Sequence, residues 1–89
     1  MLAIQTVSIT LSAGAMTVTF GQFEKVNEAA VYIEGSLTSD YVFEATRSIA
    51  TNVVTVTIKK MQVSATNTWG NAITTDFTGK TMTVIADGD

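Results

Sequence analysis

Hydrophobic residues recur at every second position along most of this chain, with threonine or serine between them. Val7, Ile9 and Leu11 alternate with Ser8 and Thr10, and Met16, Val18 and Phe20 alternate with Thr17 and Thr19. A period of two marks strands with one dry face. Ser12-Ala13-Gly14-Ala15 between them reads as a tight turn in which Gly14 can take a positive φ. The pattern predicts an antiparallel hairpin over Val7–Phe20. Leu2 and Ile4 fall on the opposite parity. That predicts either a bulge near Gln5-Thr6 or an N-terminal arm over residues 1–6 that packs elsewhere.

Gly21 ends the second strand, and the polar stretch Gln22–Glu28 sends Phe23 and Val26 toward the core. Val31, Ile33 and Leu37 share a parity with Gly35, whose place inside a strand suggests a bulge or a close backbone approach. Thr38-Ser39-Asp40 is a turn, Tyr41, Phe43 and Ala45 oppose Val42, Glu44 and Thr46, and Asn52 is the left-handed residue expected in the turn Ile49–Asn52. Val54, Val56 and Ile58 face inward. Lys59-Lys60 then interrupts, and Met61, Val63 and Ala65 continue on the other parity, which predicts a bulge or turn at the lysines. Asn67–Gly79 is irregular, and Thr81–Ala86 is a last strand with Met82, Val84 and Ala86 inward. Six to seven short strands separated by turn signals predict an all-β fold, a small antiparallel β-sandwich formed by a single domain over 1–89.

Composition narrows what such a sandwich does. The 89 residues include no histidine, cysteine or proline, so neither disulfides nor a Cys/His zinc site can staple the fold. Small domains without staples often gain stability by oligomerising. Hydrophobic residues make up 46% and charged residues 15%, a dry composition that fits an interface and excludes disorder. Net charge is −3, and Lys25, Arg47, Lys59, Lys60 and Lys80 form no basic stripe, which argues against nucleic acid as a partner. No window approaches the length of a membrane span. Met1-Leu2-Ala3-Ile4-Gln5 carries no positive leader, so synthesis in the cytoplasm is expected. Free ends of small domains fray, so ordered ends would point to a neighbour that holds them.

The same absences remove most chemistry. Ser-His-Asp and Cys-His sites cannot be built, and paired-carboxylate hydrolysis would need Glu34, Asp40, Glu44 or Asp76 to converge in a cleft. No catalytic residue, cofactor or metal ligand set is expected. Thr38-Ser39-Asp40 and Asn71–Asp76 offer too few carboxylates for a calcium site, and Asp87-Gly88-Asp89 brings two acids close only at a chain end, where fraying is usual. Three stretches read Thr-hydrophobe-Thr, at residues 17–19, 55–57 and 81–83. Aligned threonines on a flat sheet can order water, but the uneven spacing argues against a regular array. Trp69, Tyr32 and Tyr41 are the side chains best suited to anchoring a partner or stacking on a sugar ring.

The thread Val18-Thr19-Phe20-Gly21, Phe23, Val31-Tyr32-Ile33 and Asn52-Val53-Val54-Thr55-Val56-Thr57-Ile58 resembles small β-sandwich modules of the H-type lectin kind, which recur in bacteriophage virion proteins. It departs from them where Asn27-Glu28-Ala29-Ala30 replaces the usual proline and where Asn52 replaces a turn glycine. No sugar-binding residue carries over. The chain also resembles small threonine-rich phage cement proteins, which are often trimeric. The resemblance implies a non-enzymatic virion structural protein that clamps onto the major capsid protein as a homo-oligomer, with a trimer favoured. Leu2, Ile4, Trp69, Ile73 and Phe77 are the expected contacts with neighbours. A carbohydrate- or receptor-binding module of a tail or fibre is the alternative.

Overall fold

The structure, a computed structural model, describes residues 1–33, 40–64 and 68–89. Seven strands run as β1 (Leu2–Ser8), β2 (Ala15–Thr19), β3 (Val26–Ile33), β4 (Tyr41–Ala50), β5 (Val53–Gln62), β6 (Gly70–Asn71) and β7 (Thr81–Gly88). A 3-10 turn at Thr74–Phe77 precedes β7. The fold is all-β: a three-stranded antiparallel sheet in the order β1-β7-β3 packs with a four-stranded sheet in which β5 lies between β2 and β4 and β6 pairs β5 beyond β2.

The central strands supply the driest residues. Val54, Val56 and Ile58 of β5 and Met82, Val84 and Ala86 of β7 are fully buried in one cluster with Val18, Phe20, Phe23 and Phe77. Each large apolar side chain buried this way stabilises by about 1.5–3 kcal/mol. The inward parities read from the sequence hold here, including Val18, Val56 and Met82 at the centres of the Thr-hydrophobe-Thr stretches. Phe23 and Val26 are buried as the pattern requires.

Four local expectations change. First, Val7–Phe20 is no hairpin. Ser12 and Ala15 do bond across a turn with Gly14 at φ 80°, yet β1 pairs with β7 and β2 with β5. The chain crosses between sheets through Ile9 and Leu11, and Leu11 is held on both main-chain groups by Thr74 Oγ1. Alternation specifies which side of a strand is dry, and an arch between sheets satisfies it as well as a hairpin does.

Second, residues 1–6 are neither bulged nor a separate arm. β1 is in continuous register with β7 from Leu2↔Asp87 to Ser8↔Thr81, and Gln5 takes an inward position opposite Val84. Its Nε2 reaches across to the carbonyl of Thr19 on β2 at 2.6 Å. Third, β5 runs unbroken through Lys59-Lys60, with Lys60 on the same parity as Ile58. Fourth, the positive φ of the β4–β5 turn falls on Thr51 (51°) rather than Asn52, whose side chain instead donates to the Phe23 carbonyl. The expectations at Glu34, Gly35, Leu37, Thr38-Ser39, Ala65 and Asn67 lie outside the described residues.

The chain holds its own ends. The Gly88 N–H donates to the Met1 carbonyl, the Glu24 N–H to the Asp89 carbonyl and the Asp89 N–H to the Lys25 carbonyl. A Cβ at Gly88 would lie 2.5 Å from the Phe23 ring and 2.7 Å from the Lys25 carbonyl. Gly88→Ala is therefore expected to cost about 1–3 kcal/mol through overpacking. Chemical denaturation checks this, and an unchanged midpoint would refute the tight packing of the two ends.

Candidate functional site

Strand register places the exposed apolar side chains. On the outer face of the three-stranded sheet, Ile4 lies opposite Ile85, which in turn lies opposite Ala30 of β3. Leu2 and Tyr32 flank this row, and Glu28 and Asp87 bound it at one end. Leu2 is 71% exposed, Ile4 65% and Tyr32 56%. A sheet face that meets only water normally carries polar residues at such positions. The opposite parity of Leu2 and Ile4 thus marks a second apolar surface on a strand whose other face is already committed to the core.

The remaining contact candidates separate. Trp69 and Ile73 are exposed on either side of β6, at the Lys60 end of β5. They lie toward the start of β7, whereas Leu2 pairs near its end. Phe77 is not a contact residue. It is 2% exposed and packs edge-on to Phe43, with ring centroids 5.3 Å apart. The 3-10 turn carries it inward, and nothing in strand periodicity marks such a turn.

That turn also builds the most shielded ion pair among the described residues. Lys60 Nζ donates to Asp76 at 2.9 and 3.2 Å, and both side chains are largely shielded. Asp76 Oδ2 also accepts the Ile73 N–H, and the Lys60 ammonium sits 5.0 Å from the Tyr41 ring centroid. One face of the half-buried Tyr41 ring is thereby engaged in a cation–π contact.

Of the other candidate acids, Asp40 and Glu44 lie among the described residues. Asp40 accepts Gln62 Nε2 and Ser64 Oγ, both at 2.8 Å. These bonds, that from Gln62 foremost, hold its carboxyl below the usual range against the opposing effect of desolvation. Glu44 is exposed, and its strand position lies opposite that of Lys59. Among the described residues, no three acids, histidines or cysteines converge.

The outer face of the four-stranded sheet is different in kind. Thr17 lies opposite Thr55, which lies opposite Ser48, and the next row is Ala15, Thr57 and Thr46. Two of the Thr-hydrophobe-Thr stretches therefore lie on neighbouring strands but meet at one threonine pair, Thr17 and Thr55, with Thr19 opposite Val53 and Thr57 opposite Ala15. The third belongs to the other sheet, where Thr83 Oγ1 is 3.2 Å from Thr6 Oγ1. Compared with known proteins, the chain matches no family model, no curated sequence and no solved structure.

Two outcomes test these polar arrangements. Asp76→Ala strands the shielded Lys60 ammonium and is expected to cost about 1–3 kcal/mol of stability by denaturant titration. For Asp40 the fold keeps the carboxyl ionised to lower pH than the unfolded chain does. Its contribution is complete above roughly pH 4 and fades as pH falls through the folded value. Asp40→Asn should flatten that acid limb of stability against pH, and superimposable limbs would refute the assignment.

Proposed function

We propose that this chain is a non-enzymatic virion structural protein of the capsid-cement type, working by protein–protein contact. The observation that carries the reading is the exposed pair Leu2 and Ile4 beside half-buried Ile85, presented by a strand already in register with the centre of its sheet. Covering it with a partner removes apolar area from water at roughly 25 cal/mol per Å², less the entropic cost of association. The engagement of Asp40 and Asp76 with separate partners favours this reading over hydrolysis by paired acids.

The partners in this reading are the major capsid protein and sister copies, with a trimer favoured, and the site of action is the virion after synthesis in the host cytoplasm. Trp69, 40% exposed beside β6, supports the second reading, a glycan- or receptor-binding module of a tail or fibre. In that reading saturable glycan binding is lost in Trp69→Ala, and a glycan array without hits dismisses it.

The decisive test is co-sedimentation with shells assembled from the capsid protein encoded beside this gene. The native chain should pellet with shells, and Ile4→Glu should remain in the supernatant. Ile4 already faces solvent, so this substitution should shift stability by no more than about 0.5 kcal/mol. Equal pelleting of both proteins, or of neither, would contradict the proposal.

A further inference from the structure

The sandwich is open along two seams, β1 against β2 and β3 against β4, and all four of these strands are sheet edges. Ladder alternation tells which main-chain groups face the seams. The Gly88 N–H bonds the Met1 carbonyl, so the even positions of β7 serve β1 and its odd positions serve the even positions of β3. Ala29, Val31 and Ile33 therefore turn their N–H and C=O groups to the open edge. By the same alternation, the bond from the Phe20 N–H to the Asn52 carbonyl leaves the Thr19 carbonyl facing the other seam.

Each seam is spanned by one long polar side chain from an inward position. Gln5 donates to the Thr19 carbonyl across the first. Across the second, Arg47, opposite buried Val56 in the ladder, donates from Nε to the Ala29 carbonyl and from Nη2 to Glu28 at 3.3 Å. The second seam is closed at one end by the Val26 N–H, which donates to the Thr51 carbonyl, and it opens beside Arg47. Ala45 shares the inward parity yet is exposed, and with Ala29, Ala30, Val31 and Thr46 it lines an open groove that Arg47 crosses. Exposed, proline-free edges are templates for strand addition, and an inward-pointing charge is an effective block.

We infer that Arg47 is an edge guard. It occupies the free Ala29 carbonyl and places a charge in the groove where a strand from a second copy would lie, so that copies meet only through other surfaces. This role is independent of the capsid reading and of the Leu2–Ile4 face.

The experiment compares native protein, Arg47→Met and Arg47→Lys by sedimentation equilibrium over a range of concentrations, with amide hydrogen exchange on each. Methionine keeps an apolar stem across the groove without donor or charge, and lysine keeps the charge. The Met variant should unfold cooperatively, yet at least double its weight-average mass relative to native protein and gain protection at the Val31 and Ile33 amides. The Lys variant should match native protein. The inference is overturned by equal masses for all three, by protection confined to β1, by a Lys variant that associates like the Met variant, or by a Met variant that no longer folds, since that last outcome makes Arg47 a structural residue.

Discussion

Everything in this molecule depends on the burial of two central strands. Val54, Val56 and Ile58 of β5 and Met82, Val84 and Ala86 of β7 are completely removed from solvent, and each central strand is flanked on both sides by partners in its own sheet. A chain of 89 residues without disulfides or a zinc site has no other large source of stability. The edge strands are less well buried: β4 is exposed on both faces from Glu44 to Ser48, and β1 is half-buried on one face only. The fold is a dry stripe with wetter margins.

The margins explain where the sequence was readable and where it was not. Strand existence, inward parity and the positive φ of Gly14 follow from local chemistry, and the structure agrees with them. Neighbour relations do not follow, because an arch and a hairpin bury the same residues of Val7–Phe20. The two breaks in alternation, at Gln5 and at Lys59-Lys60, look like bulges on a hydrophobicity count. In both places the strand continues and a long polar side chain faces inward, with a partner across the sandwich: the Thr19 carbonyl for Gln5 and Asp76 for Lys60. Arg47 does the same on β4. A polar residue on a dry parity can therefore signal a bridge as readily as a kink, and only its distant partner distinguishes them.

The candidate contact surface was legible in the same partial way. Leu2 and Ile4 stood out because their parity conflicted with the core pattern, and they are exposed on an ordered strand. Its place in an irregular stretch groups Phe77 with Trp69 and Ile73, but a short 3-10 turn sends it to the core. The two outer faces also diverge, one carrying leucine and isoleucine beside carboxylates and the other rows of hydroxyls and methyls that end at Glu44 and Lys59. That contrast appears only when strands are set side by side.

The most direct test of this account is amide hydrogen exchange across both sheets under native conditions. If β5 and β7 form one cooperative core, the amides of Val54, Val56, Ile58, Met82, Val84 and Ala86 should exchange slowest and with a common opening free energy equal to that of global unfolding. Amides of β7 that exchange through a separate, much cheaper opening while β5 stays protected would contradict it, because the two sheets would then not share the core on which the rest of the fold depends.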